Sequence, residues 1–517
     1  MKRPLVIHPF LLAMFPVVYL LENNLDMVLI SQAMVPSAVV LAFTALALYL
    51  LTAALGDVRK AGLVVSIFLV LFFSYGHVFD VIQDAMGDQP GSGPGHGYLL
   101  AAWAMMFAIC AYLAVRTRGE ARWTRVLNLV AIVLIAPSLI GIGVYEVRAR
   151  RINQSSVVRA ADTIEITPGA EDVEDRPDIY YIILDRYASS STLKEYFGFD
   201  NSEFIDYLAS KGFYVAAESR ANYPKTFQSL ASSLNMTHLT YLTDELGRET
   251  SARRPVYGML QDYQVWRFLK ARGYRFMHFG SSWEPTRYNR YADVNFSVYP
   301  AEFSMMLYQT TVLEPIGVGL GVFDQREMER RATLRKLDKI ADVARAERPT
   351  FVFAHVLLPH APYLFGPEGE RVTEEQEEAR TEAENYLNQL AFTNGKVRGL
   401  VDEILSRPER PPIIILQADE GPFIPFLDEF GGDGTDWRQL SDGAVRTHMR
   451  ILNAYYLPDA DPEEILYPSV TPVNTFRILF DHYFGTDYGL LTDESYIVED
   501  TMHPYAFINV TDRVTYD

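Results

Sequence analysis

Three short segments place groups able to hold a cation or move a proton directly behind apolar runs. Asp185 follows IYYIIL, Pro359 and His360 follow TFVFAHVLL, and Asp419 and Glu420 follow PPIIILQ within QADEGP. Charged oxygen donors suit hard divalent cations, and an imidazole can add a nitrogen ligand or serve as an acid or base. Taken singly, each has an ordinary structural role: an Asp at a strand end caps a turn, and a His beside prolines packs. Their recurrence behind three separate runs is the pattern of a divalent-metal site.

Those runs read as strands. YRFMHFG and RILNAYYL are two more, and the stretches between them, SEFIDYLASKGF, VYGMLQDYQVWRFLKARG and AENYLNQLAFTNGKVRGLVDEILSR, have helical character. Continuous apolar runs, rather than alternating ones, are buried on both faces, so the expected fold class is an α/β domain with a mostly parallel or mixed sheet. In such sheets chemistry collects beyond the carboxyl ends of the strands, which is where Asp185, His360, Asp419 and Glu420 stand. No P-loop, GxGxxG or HExxH occurs, which removes the common nucleotide and zinc-protease readings.

Ahead of this domain lie five apolar stretches, roughly residues 5–21, 33–55, 61–79, 97–115 and 126–145. About 20 residues are needed to cross the hydrocarbon core of a bilayer. Segments such as AGLVVSIFLVLFF carry no polar stripe at helical period, unlike the buried helices of a soluble domain. The expected organisation is therefore a transmembrane domain over 1–150, a polar linker over 151–176 and an extracytoplasmic domain over 177–517. MKRPLVIHPFLL resembles a signal peptide but is followed by no small-residue cleavage site, and reads as a retained anchor. Lys2, Arg3, Arg59, Lys60, Arg116, Arg118, Arg122 and Arg125 fall on one side of the spans; Glu22, Asp26, Asp80, Asp84 and Asp88 fall on the other. By the positive-inside rule the first side is cytoplasmic, and the large domain lies outside the plasma (inner) membrane. The glycine-rich GDQPGSGPGHG reads as an external turn. The span interiors hold almost no ionisable groups, which argues for an anchor rather than a transporter.

Charge divides the same way. Residues 1–152 hold 11 Lys/Arg against 8 Asp/Glu, whereas residues 153–517 hold 35 against 57, within a total net charge of −19. An acidic soluble part is a poor match for nucleic acid. The single cysteine, Cys110, lies in an apolar run, so neither an intrachain disulfide nor a thiolate zinc cluster can form.

The segments PDIYYIILDRYASSSTLKEYFGFDNSEFIDYLASKGF, NYPKTFQSLASSLNM, FAHVLLPHAPY, IILQADEGP and RILNAYYLP, in this order behind five spans, resemble the sulfatase-like branch of the alkaline phosphatase superfamily. The nearest likeness is to membrane-anchored enzymes similar to lipoteichoic acid synthase and phosphoethanolamine transferases, over most of residues 1–500. The resemblance implies one divalent metal ion, with Asp185 and Asp419 as ligands and Thr226 as the metal-activated nucleophile. A threonine hydroxyl is feeble at its free pKa and gains from metal coordination. Thr226 would otherwise cap the following helix, and Ser229 is the second candidate. His360 matches a histidine contacting the transferred group or leaving oxygen; Trp283 and Arg287, in SSWEPTR, fall at head-group contacts, where an Arg fork fits a phosphoryl oxygen.

The departure is Glu420. Relatives carry Asp-His-Gly where this chain has Asp419, Glu420 and Gly421. An all-oxygen set of Asp185, Thr226, Asp419 and Glu420 leans toward Mn, Mg or Ca, with Zn possible; His448 could restore a nitrogen ligand. No formylglycine motif with Cys or Ser is present, so phosphoester chemistry on a membrane lipid head group or envelope glycan is expected over sulfate ester hydrolysis. A non-catalytic envelope protein that binds a glycan or partner is the remaining alternative.

Overall fold

A computed structural model describes residues 4–25, 28–86, 95–154, 176–343, 348–406, 411–431 and 435–516. Lys2, Arg3, Asp26 and Asp88, most of the glycine-rich turn and most of the expected linker lie outside the described residues. The chain forms two compact units, Met1–Arg150 with Pro300–Asp324, and Arg151–Tyr299 with Gln325–Asp517.

The first unit contains α1 (His8–Asn23), α2 (Met34–Leu55), α3 (Val58–Met86), α4 (His96–Arg116) and α5 (Glu120–Gln154). Among the described residues, four spans are long and apolar enough to cross a membrane: Ile30–Leu55, Val58–Gln83, His96–Arg116 and Glu120–Val147. This differs from the expected five. The 16 residues of α1 reach about 24 Å at 1.5 Å per residue, short of a hydrocarbon core of about 30 Å. Ala13, Val17 and Leu21 of α1 pack in one apolar cluster with Val65, Leu69 and Phe73 of α3. Phe303 and Leu307, from the short helix Glu302–Gln309, belong to that cluster. The unit is thus discontinuous in sequence.

The second unit is built on a seven-stranded mixed sheet: β1 (Ile179–Leu184), β2 (Tyr214–Val215), β3 (Arg275–Phe279), β4 (Val294–Phe296), β5 (Thr350–Val356), β6 (Ile413–Gln417) and β7 (Asn453–Tyr456), ordered β2-β7-β6-β1-β5-β3-β4. β1 runs parallel to β5 and β6, with Ile183 level with His355 on one side and Gln417 on the other. β7 is antiparallel to both β6 and β2. A hairpin of β8 (Tyr496–Val498) and β9 (Phe507–Asn509) stands apart.

Strand alternation feeds two cores. Tyr180, Ile182 and Leu184 join Val352, Ala354, Ile414 and Leu416 on one face; Ile179, Tyr181 and Ile183 join Phe351, Phe353, Ile413 and Ile415 on the other. Burial on both faces is why β1 is apolar without interruption.

Six helices matter to the site: α6 (Thr226–Asn235), α7 (Glu284–Arg287), α8 (Gln325–Asp342), α9 (Glu382–Leu405), α10 (Asp442–Met449) and α11 (Pro472–Phe484). α9 starts at a capping box in which Thr381 and Glu384 satisfy each other's backbone amides. The helix expected over VYGMLQDYQVWRFLKARG is two, Arg254–Gln261 and Gln264–Ala271. Asp262 breaks it by taking an extended backbone, and its carboxylate pairs with Arg267 at 2.6 Å.

Candidate metal and catalytic centre

Asp185 and Asp419 stand beyond the carboxyl ends of the neighbouring strands β1 and β6. His355 lies on β5, on the other side of β1, with the facing of Phe351 and Phe353. One ligand-type atom from each of Asp185, His355 and Asp419 lies within 4.8 Å of the others, and all three residues are buried. His355 Nε2 is 3.0 Å from Asp185 Oδ2, while its Nδ1 is 2.7 Å from Thr286 Oγ1. The histidine expected in FAHVLLPHAPY is His360, whereas the one in the cluster is His355. The available signal was strand register, since His355 is level with Ile183, two residues before Asp185.

Asp185 Oδ1, Asp419 Oδ2 and Glu420 Oε2 are buried and have no hydrogen-bond partner. Buried carboxylate oxygens without partners are costly, so the convergence of Asp185 and Asp419 with the His355 imidazole fits a cation-binding cluster. Burial, and then the Asp185 charge, push the Asp419 carboxyl up to about 7. Burial followed by the Asp419 charge raises Glu420 well above the carboxylate range. The nitrogen donor in the cluster is His355, so an all-oxygen description does not cover it.

Thr226 is the first residue of α6. The cap position belongs to Lys225, without a side-chain hydrogen bond, so Thr226 is not engaged as the helix cap. Its side chain instead approaches Asp419 and favours the charged carboxylate. Ser229 is committed elsewhere: its hydroxyl donates to the Asp419 backbone carbonyl at 2.7 Å. This contact anchors the Asp419 turn to the first turn of α6.

His448 stands away from the cluster. Nδ1 is 2.9 Å from the Gly421 carbonyl oxygen and Nε2 is 2.8 Å from that of Pro224, and the ring stacks on Phe423. Burial is the largest of the effects lowering its pKa, to about 3. The neutral ring therefore donates its single N–H to one of these two carbonyls and sits packed between the loop behind Asp419 and the loop before Thr226. Gly421 makes this approach possible, since a Cβ there would lie 2.3 Å from the Thr447 carbonyl oxygen.

His360 lies between two cis peptide bonds, Leu358–Pro359 and Ala361–Pro362. Its Nδ1 engages the Ala361 carbonyl, and Gln389 of α9 donates to the His360 carbonyl at 2.7 Å. Burial, with Arg186 nearby, lowers its pKa. The Trp283 ring meets the His355 ring edge-on, with centroids 6.0 Å apart. Arg287 is taken up locally: Nε donates to Glu284 Oε2 at 2.8 Å and Nη2 to Oε1 at 3.2 Å, so its fork is matched to a carboxylate.

Arg186 is a cation at the cluster that the sequence alone does not single out, and Lys225 also acts electrostatically on Glu420. The Arg186 backbone has φ +62°, its amide donates to Asp419 Oδ1 at 3.3 Å, and its Nε is 3.7 Å from Glu420 Oε1. The guanidinium lies over Phe423. Lys336 of α8, wholly buried, donates from Nζ to the His355 carbonyl at 2.5 Å and to that of Gly280 at 3.1 Å. This joins the ends of β5 and β3, and burial pulls the Lys336 pKa down to about 7 against the attraction of Asp185.

No protein-family model matches the chain, and no curated protein matches it. Solved structures similar to it include phosphoethanolamine transferases, a putative sulfatase and a member of the alkaline phosphatase superfamily. The C-terminal periplasmic domain of EptC from Escherichia coli aligns at 12% identity and TM-score 0.43, over 67% of this chain and 97% of that one. Integral-membrane lipooligosaccharide phosphoethanolamine transferase A (EptA) from Neisseria meningitidis aligns at 12% identity and TM-score 0.39, over 92% of this chain and 95% of that one. An alkaline phosphatase superfamily protein from Vibrio parahaemolyticus aligns at 12% identity and TM-score 0.39, over 66% of this chain and 80% of that one.

Proposed function

We propose that this protein is a membrane-anchored, metal-dependent transferase or hydrolase of phosphoesters that acts on lipid or glycan head groups through Thr226. The carrying observation is the convergence of Asp185, His355 and Asp419 at one end of the sheet, with the Thr226 side chain turned toward Asp419. Asp185, Asp419 and Thr226 would hold the ion, with His355 or Glu420 completing the set. The mixed nitrogen and oxygen donors favour Zn or Mn over Mg and Ca. A bound divalent ion would act as a Lewis acid and lower the pKa of a coordinated hydroxyl.

The chain's own groups supply the rest. Thr226 Oγ attacks phosphorus and gives up its proton toward Asp419, forming a phosphothreonine as the P–O bond to the leaving group breaks and the departing alkoxide takes a proton from solvent. The Gln228 and Ser229 amides are taken by the Lys225 carbonyl, and the Thr226 and Phe227 amides at the N-terminus of α6 would face the charge that develops on the phosphoryl oxygens. Arg186 adds positive charge beside Glu420, the part the sequence reading gave to Arg287; Trp283 borders the head group. With its Nδ1 proton donated to the Ala361 carbonyl, His360 presents the Nε2 lone pair. That atom accepts a proton from the water or acceptor hydroxyl that attacks the phosphothreonine, while Asp419 returns its proton to Thr226 Oγ as the Oγ–P bond breaks.

The domain boundaries proposed are a membrane domain over 1–150, a linker over 151–176 and an extracytoplasmic catalytic domain over 177–517, from which 300–324 departs to group with the membrane helices. α1 is a fifth, shorter crossing. Its crossing does not decide where the domain lies, because the basic loops before α3 and α5 fix the later helices. Full-length protein loaded with Zn or Mn and incubated with phospholipid is expected to carry a phosphate-bearing adduct on Thr226 by mass spectrometry, and Thr226→Ala to carry none. Fully metallated wild-type protein that forms no adduct and turns over no phosphoester would refute the reading.

A further inference from the structure

Residues 300–324 are bordered on both sides in sequence by the α/β unit, yet they group with the membrane helices. The attachment to α3 runs through backbone. The Gly76 amide donates to the Thr310 carbonyl at 3.1 Å, and the Val312 amide donates to the Phe72 carbonyl at 3.1 Å. Gly76 is the residue that admits this contact: a Cβ there would lie 2.6 Å from the Gln309 carbonyl oxygen and 2.9 Å from Thr310 Cα. Phe303 and Leu307 seal the other side by packing with Leu69 and Phe73.

Depth follows from helix geometry. The span containing Phe72 and Gly76 is Val58–Gln83, 26 residues, or about 39 Å at 1.5 Å per residue. Centred on a hydrocarbon core of about 30 Å, it extends about 5 Å beyond each boundary. Gly76 lies about 10 Å along the axis from Gln83, hence about 5 Å inside the hydrocarbon, the depth of an interfacial helix. Glu314 fits this placement, for it lies within electrostatic reach of Asp80 and His96 at the facing ends of α3 and α4.

Beyond this attachment the segment presents Leu313, Ile316, Val318, Leu320 and Val322 outward, the last two 72% and 79% exposed. Lipid-facing positions on the spans are equally bare, as Val39 at 62% and Tyr49 at 71% show. Glu314 is the one charged residue between Leu313 and Val322. Such a patch, continuous with span surfaces and held at acyl-chain depth, has a membrane as its natural cover.

We propose that residues 313–322 insert into the bilayer, so that a segment encoded within the soluble half of the sequence is a lipid-contacting element of the membrane unit. The contact is with the outer leaflet, and only that choice of leaflet rests on the orientation proposed above. The test uses full-length protein in phosphatidylethanolamine and phosphatidylglycerol liposomes, with Cys110→Ala as background and Leu320→Cys carrying an environment-sensitive NBD label. Glu203→Cys, on an exposed α/β helix, is the aqueous reference. The expected result is blue-shifted emission at 320, quenching by lipids with a nitroxide high on the acyl chain, and protection from iodide. Emission and iodide quenching equal to those at 203 would overturn the proposal. Protection from iodide without nitroxide quenching would also overturn it, assigning the patch to a protein partner. The readout needs no turnover, so it stands or falls independently of the Thr226 adduct.

Discussion

His355 carries a consequence that His360 does not. With one nitrogen near Asp185 and the other near Thr286, it sets the position of a carboxylate in the cluster. His355→Gln is expected to weaken divalent-metal affinity by about 10- to 100-fold, the usual effect of losing a group that ligates or orients a ligand. Titration followed by inductively coupled plasma analysis reads this, and unchanged affinity would place the ion elsewhere. His278 serves a different experiment. Burial, chiefly, lowers its pKa to about 4, while in the unfolded chain the imidazole titrates near 6.5. Between those values the unfolded state binds the extra proton, so the stability His278 contributes above pH 6.5 is lost as pH falls toward 4. The slope is at most about 1.4 kcal/mol per pH unit. Denaturant titrations across this range are expected to show a shallower decline for His278→Gln, and equal slopes would show that the folded ring is protonated.

The elements that carry the site were legible because continuous apolar runs mark strands buried on both faces, and their ends mark chemistry. That rule alone singles out Asp185, Asp419 and Glu420 in the sequence, and β1, β5 and β6 sit as neighbours in the sheet. What the sequence hid is set by tertiary pairing. His355 looks like one more residue inside an apolar strand until β5 is laid beside β1. Arg287 looks like a free anion receptor until the turn of α7 brings Glu284 to its fork. β2, β4 and the β8–β9 hairpin are only two or three residues each, too short for any periodicity to register. Helix α10 shows how an element fixes a loop: its last turn approaches Gly421 so closely that a methyl group must displace backbone. Gly421→Ala is expected to cost about 1–3 kcal/mol through overpacking and to lower the thermal midpoint. An unchanged midpoint would show that the α10 end yields freely.

For the whole molecule, the first test is sidedness. In a Cys110→Ala background, an impermeant maleimide added to intact cells with a permeabilised outer envelope is expected to label Glu203→Cys and to spare Arg118→Cys; the reverse pattern would invert the orientation. The discontinuity of the membrane unit then bears on how the chain is made. β1 must wait for β5 and β6, whose partner residues, Phe351 and Ile413 opposite Ile179, emerge far later, so the sheet closes late. The stretch 300–324 is synthesised in that interval, while the sheet is still open, and finds a finished helix, α3, already in the bilayer. Early docking there would remove the most apolar part of the connection from solution while the rest of the sheet is completed. A fragment starting at residue 151 forfeits that refuge. Such a fragment is expected to need detergent or to sediment with vesicles, and to become soluble when 300–324 is replaced by a Gly/Ser bridge.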